Sequence, residues 1–214
     1  MTKTKFWLLT LTTAFAMGAS AQNTWETPAE KQQQEQTTAA KPLDEKALAL
    51  QKYLAGAVPE VDGKVVFTKE FSAPNRTAFE IYNLLGKFMQ DMTLEEGQLN
   101  SKLITADTTT FQLGAVYEEW LVFQKSFISL DRTRFNYVLL AHCENGKATV
   151  ELSHIKYLYE EERKPQKYTA EEWITDKEAL NKKKTRLLPF SGKFRRKTID
   201  RKDYIFNQIE ALLK

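Results

Sequence analysis

The residues best suited to acid–base, nucleophilic or metal chemistry in this sequence are few: His142, Cys143, His154 and several neighbouring carboxylates. A general base serves a nucleophile only within hydrogen-bond reach, about 2.6–3.2 Å. A structural zinc site needs four Cys, His or carboxylate ligands. With one cysteine and two histidines in the whole chain, no Cys/His zinc cluster and no intrachain disulfide can be assembled. A reactive thiol wants exposure and a positive neighbourhood. Cys143 instead ends an apolar run and reads as a small buried hydrophobe.

The histidines can be placed by register. Asn145-Gly146 separates the alternating runs "RFNYVLLAHC" and "KATVELSHIKYLYE", which predicts a two-residue hairpin. A type I′ turn there takes positive φ at both positions and opposes Cys143 to Ala148, Leu139 to Leu152 and Tyr137 to His154. Alternation then places Phe135, Tyr137, Leu139, Ala141 and Cys143 on one face, with Ala148, Val150, Leu152 and His154. His142 falls on the other face, opposite Thr149. At about 3.3 Å per residue the two rings are also several residues apart and cannot share a metal or a proton. Glu118 and Glu119 point oppositely on one strand, and Glu160 to Glu162 sit at a strand end, where charges are solvated. The sequence therefore assigns no catalytic residue, no metal ligand and no cofactor, and an enzyme is the alternative reading only.

The second face of this hairpin is richer. The same alternation gives it Val138, Leu140, Ile155 and Tyr157. In the preceding run "FQLGAVYEEWLVF", Phe111, Leu113, Tyr117, Leu121 and Phe123 point to the core, leaving Val116, Trp120 and Val122 outward. That many large apolar side chains rarely face water together. Either residues 43–56 or 160–195 fold back over the face, or it binds a protein, a peptide or an apolar ligand. The candidate binding residues are Trp120, Val116, Val138, Leu140, Ile155 and Tyr157.

The elements that must carry these residues follow from pattern. The chain has 214 residues, enough for one domain with a sizeable core. Lys3 and Lys5, the apolar run Phe6 to Met17 and Ala19-Ser20-Ala21 have the order of a secretory signal, 1–21. The run is shorter than the ~20 residues that span a bilayer, and no cysteine follows the expected cleavage site, which disfavours a lipid anchor. Residues 22–42, rich in Gln, Thr, Ala and Glu, read as a disordered linker. Residues 43–60 read as a short helix, with Asp44 as N-cap and Gly56 as stop, and its connection.

The domain, 61–214, starts with the strand "KVVFTKEF". Thr77-Ala78-Phe79-Glu80 is a capping box, and Ala78, Ile81, Tyr82, Leu85, Met89 and Met92 form a helical stripe. "SKLITADT" and the three long alternating runs give four strands. Thr169-x-x-Glu172 and Thr175-x-x-Glu178 open brief helices, an insert near 169–184. Thr198 caps a last helix whose buried stripe is Ile199, Lys202, Phe206, Ile209 and Leu213. The order is strand, helix, four strands, helix.

"ITDKEALNKKKTRLLPFSGKFRRKTIDRKDYIF", Ile174 to Phe206, and the strand–helix opening resemble an exported bacterial family of unknown function. That resemblance covers most of residues 63 to 213. It implies a TBP-like α+β fold, β-α-β4-α, with helices on one face of a curved antiparallel sheet. It also implies a Gram-negative source and a periplasmic or cell-surface location, and it carries no catalytic residue. A fold does not transfer its namesake's DNA binding.

The basic cluster Lys193, Arg195, Arg196, Lys197, Arg201 and Lys202 is the remaining candidate. The net charge is only +3 and acidic residues dilute the cluster, so no nucleic acid is expected as partner. A membrane-surface helix keeps Lys and Arg along its whole polar face; here they stop at Lys202. The expectation is a loop whose Phe190 and Phe194 dock while its charges face water. Association of the basic 182–197 segment with anionic lipid is a further alternative. Asp107-Thr108-Thr109 resembles an O-glycosylation acceptor of some relatives. The favoured function is a non-catalytic binding or accessory role in the cell envelope.

Overall fold

The computed structural model describes residues 48–125, 130–161 and 163–214. The expected signal peptide, the linker, residues 43–47 and Glu162 lie outside them. Residues 48–51 are helical, and the chain turns repeatedly before Gly56, at φ 81°, so the first helix ends earlier than the expected stop.

Strands β1 (Glu60–Val61) and β2 (Lys64–Val65) form a small ribbon around Asp62-Gly63. Both turn residues have positive φ, 49° and 73°, the type I′ signature. Strand β3 (Phe67–Ser72) buries Phe67 and Phe71. Helix α1 (Ala78–Met92) then begins on the expected capping box and buries the predicted stripe. Strands β4 (Lys102–Asp107), β5 (Gln112–Lys125), β6 (Leu130–Glu144) and β7 (Lys147–Tyr159) follow, then β8 (Gln166–Thr169). The main sheet is antiparallel, in the order β3-β7-β6-β5-β4. Strand β3 pairs with the first half of β7 and β8 with its last four residues.

The β6–β7 turn differs from expectation. Of its two residues only Gly146 takes positive φ, at 83°, so it is not type I′. Its groups are bound to the start of α1: Asn145 Oδ1 accepts from the Ala78 N–H at 2.8 Å, and the Gly146 N–H donates to the Arg76 carbonyl at 2.9 Å. The hairpin tip thereby caps the helix that lies on the sheet.

Short helices α2 (Ala170–Trp173) and α3 (Asp176–Ala179) occupy the expected insert. Thr169 and Glu172 form the predicted capping box, whereas the Thr175 side chain makes no cap bond and donates to the Glu171 carbonyl. The last helix, α4 (Ser191–Leu213), corrects the reading of the basic cluster. The helix starts seven residues before the expected cap, and Thr198, deep within it, shares a 2.7 Å hydrogen bond with the Tyr157 hydroxyl. Gly192 permits this early start, because a Cβ there would lie 2.8 Å from the Leu187 Cβ. Phe194 then sits inside an aromatic cluster, its ring 4.6 Å from Phe123, 5.2 Å from Tyr157 and 5.4 Å from Tyr159.

The cluster's charges do not all face water. Arg195 and Arg201 are fully buried. Arg195 Nε donates to the Tyr53 carbonyl at 2.6 Å and Nη1 to the Ile174 carbonyl at 2.8 Å. Its Nη2 donates to the Leu54 carbonyl at 2.6 Å and to Asp176 Oδ1 at 2.7 Å. One guanidinium thus joins the entering chain, the insert and α4, which suits the fixed fork of Arg. Lys193 pairs with Asp131 at 2.7 Å and lies over the rings of Phe123, Tyr159 and Phe190.

Arg195→Met removes the buried donor of the Tyr53 and Ile174 carbonyls. It also takes one partner from the Leu54 carbonyl, which keeps the Ala57 N–H, and from Asp176, which keeps the Gly56 N–H and Lys184. The expected loss is about 3–5 kcal/mol of unfolding free energy in urea, with residues 48–58 becoming a site of limited proteolysis that wild type lacks. A variant as stable as wild type and uncut within 48–58 would contradict the clamp.

Candidate binding face

Strands β6 and β7 keep the expected register from Glu144↔Lys147 to Val138↔Ser153, including Leu139↔Leu152 and Cys143↔Ala148. There it slips: Asn136 pairs with Lys156 and Phe135 with Tyr157. Two residues, His154 and Ile155, therefore stand against Tyr137 alone, and His154 takes φ 56°. This is a β-bulge, which re-aims side chains beyond it.

The bulge corrects three assignments. His154 is exposed instead of lying with the core residues, while Ile155 and Tyr157 are each 1% exposed and belong to the core. The other four candidates keep their face. Val116, Trp120 and Val138 are half-buried, Leu140 is 40% exposed, and Val122 and Leu158 complete the outer surface. Val116 and Val138 are directly opposed. Leu140 leans over Gly114, where a Cβ would come 3.2 Å from Leu140 Cδ2.

Of the expected covering segments, residues 48–58 stay off this face, and among the described residues of 160–195 the face is met at its edge by Glu161 and by Lys167 to Glu172. Residues 48–58 dock on α4, with the Tyr53 hydroxyl donating to Asp200 Oδ1 at 2.6 Å beside the Arg195 clamp. Residues 166–169 extend the sheet as β8, and α2 and α3 pack beside α4.

The face has two parts. Around Trp120 it is ionic: the Arg132 guanidinium carbon lies 3.6 Å from the indole centroid, a cation–π contact. Arg134 donates to Glu118 at 3.1 Å and through Nε to Glu161 at 2.6 Å, and these two carboxylates raise the guanidinium's proton affinity. Beyond this network, beside the bulge, lies an open hollow of about 750 Å³. Val116, Val138 and Leu158 give it apolar walls, and His154, Lys156, Lys167 and Glu172 stand around them. The Glu172 carboxylate is engaged in its capping box.

Chemically the face presents surface more than reactivity. His142 faces outward opposite Thr149, as expected, well along the sheet from His154. No group of three or more His, Cys, Asp or Glu that could hold a metal occurs among the described residues. Burial pushes the Cys143 thiol up to about 11. Ser153 Oγ lies 3.0 Å from His154 Nδ1, a contact the sequence reading missed, but the serine is only 2% exposed. Asp107 in the proposed glycosylation motif closes its own turn, accepting from the Thr109 N–H at 2.8 Å and the Thr110 hydroxyl at 2.8 Å.

A second polar cluster is buried beneath the sheet. Glu119 Oε1 accepts from Arg201 Nε at 2.8 Å, Oε2 accepts from Gln98 Nε2 at 2.8 Å, and Arg201 Nη2 reaches Glu95 at 2.9 Å. The available signal was position: Glu119 shares the alternation of the buried Tyr117 and Leu121. Its partner on α4 had no local signal.

An antiparallel sheet with helices on one face and an uncovered opposite face defines the TBP-like α+β class. Residues 67–158 match the domain of unknown function DUF4468 with TBP-like fold. A crystal structure of a DUF4468 family protein from Bacteroides ovatus is 44% identical, with 77% of this chain and 94% of that one covered at a TM-score of 0.72. The chain belongs to this family. A TBP-like protein from Parabacteroides distasonis shares the fold at 18% identity, with 73% of this chain and 96% of that one covered and a TM-score of 0.60. No functionally curated protein matches the chain. No helix among the described residues is long and apolar enough to cross a membrane.

The left-handed conformation of His154 costs about 1–2 kcal/mol, and its hydrogen bond to Ser153 returns about 0.5–1.5 kcal/mol. His154→Gly should therefore change stability by less than about 1 kcal/mol in a urea titration. Deletion of His154 removes the extra residue and leaves Leu152, Ile155, Tyr157 and Tyr159 on one regular alternation, so cooperative unfolding should persist. Loss of cooperative unfolding on deletion would contradict the register.

Proposed function

We propose that this protein is an exported, non-catalytic binding or accessory module of the bacterial cell envelope, working through the open face of its sheet. The observation that carries the reading is the apolar surface of Val116, Val138, Leu140 and Leu158, half-buried to exposed on the face that carries the hollow. Export to the periplasm or cell surface rests on the signal-like order of residues 1–21. A binding role is favoured over an enzyme because the histidines are apart and the Ser153 hydroxyl is out of substrate reach.

The Ser153–His154 contact is the one specific observation favouring an enzyme. In a serine hydrolase a carboxylate would orient the imidazole. The lipid alternative through residues 182–197 has less support, since Arg195 points inward, Lys193 is held by Asp131 and Lys184 by Asp176 at 3.3 Å.

Capture from envelope extracts with wild type, Trp120→Ala and Val138→Asp tests the reading. The proposal expects Val138→Asp to lose the captured species by about tenfold or more, a large share of the energy of a buried anchor residue, and wild type to resist a fluorophosphonate probe. Equal recovery by all three proteins, or stoichiometric serine labelling, would contradict it.

A further inference from the structure

The hollow beside the His154 bulge has a composition that specifies more than stickiness. Its walls are the aliphatic side chains of Val116, Val138 and Leu158, and three basic side chains, His154, Lys156 and Lys167, stand around them with the amide of Asn136. Lys156 and Lys167 are exposed, and no carboxylate pairs with either among the described residues. Glu172, the acidic residue of the lining, accepts from the Thr169 N–H and hydroxyl. The result is an apolar trough whose edge carries two ammonium groups against one carboxylate, a net positive charge.

The bulge supplies the third group. A non-glycine residue in the left-handed region is a cost that persists only when the surroundings enforce it, and such sites cluster where ligands bind. Here the cost moves His154 from the core side into the hollow. Ser153 lies 3.0 Å from Nδ1. When the serine donates, Nδ1 accepts and Nε2 carries the proton as a free donor.

We propose that this hollow binds a free long-chain carboxylate, its acyl chain along Val116, Val138 and Leu158 and its carboxylate among Lys156, Lys167 and His154. The inference rests on the open-face reading above and names its ligand class. A volume of about 750 Å³ lies within the ~300–1,000 Å³ of small-ligand sites. A peptide fits less well: the backbones of β5, β6 and β7 are already paired on the sheet interior, so no strand can be added there. A bilayer surface fits less well because the charges ring a concavity and do not spread over a plane.

The test is a calorimetric titration of the full chain with dodecanoate below its micelle concentration, at physiological salt. Saturable binding of one dodecanoate per chain is expected. The double variant Lys156→Gln/Lys167→Gln should bind about tenfold more weakly, and dodecanol should bind wild type more weakly by a similar factor. Urea midpoints matching wild type keep a folding defect out of the comparison. No saturable dodecanoate binding, or equal affinity in the double variant, overturns the proposal. So does co-flotation with phosphatidylglycerol vesicles in the absence of dodecanoate binding, which assigns the charges to a membrane. If dodecanoate fails while Val138→Asp still abolishes capture from envelope extracts, only the ligand class falls; if both fail, the open-face reading falls with it.

Discussion

One extra residue in β7 decides which side chains are core and which are surface. Before His154 the strand buries Ala148, Val150 and Leu152; after it, Ile155, Tyr157 and Tyr159. A strand of fixed alternation cannot present both sets to one layer, because they differ in parity. The bulge at His154 resolves the conflict. With it, Tyr157 reaches Thr198 on α4 and the rings of Phe135 and Phe194, while Lys156 and Leu158 turn to the open face. Core and candidate site are thus two consequences of one backbone irregularity.

The second constraint is the use of buried arginines as joints. Arg195 binds carbonyls from two separate segments, and Arg201 joins α4 to Glu119 of the sheet and Glu95 of the loop after α1. Burying a guanidinium is tolerable only when its donors are met, so each arginine requires a particular arrangement of distant chain. The entering segment, the insert and both long helices are accordingly held on one side of the sheet. That placement leaves the opposite side open, with the ionic network of Arg132, Arg134, Glu118 and Glu161 at one end and the hollow at the other.

Much of this was legible in residue order. The α1 capping box, its buried stripe, the hairpin at 145–146 and the outward placement of Val116, Trp120, Val138 and Leu140 follow from local periodicity, and local periodicity survives folding here. What was lost was lost for identifiable reasons. Alternation was carried past Ser153-His154 unbroken, although the switch from even to odd apolar positions in "VELSHIKYLY" is itself the mark of an inserted residue. The helix start at Ser191 was hidden because its first turns bury Phe194 and Arg195, and an arginine reads as polar in any pattern. The type I′ turn fell at Asp62-Gly63, since the Asn145 side chain is drawn to the Ala78 N–H. Tertiary partners from distant chain outweighed local preference at each point.

The register beyond the bulge is the claim on which core, face and ligand site all stand, and cross-strand nuclear Overhauser effects report it directly. The structure requires backbone contacts of Leu139 with Leu152 and of Phe135 with Tyr157 in the same sample. Contacts of Phe135 with Lys156 in place of Tyr157 would mean an unbroken ladder, and would return Ile155 and Tyr157 to the open face.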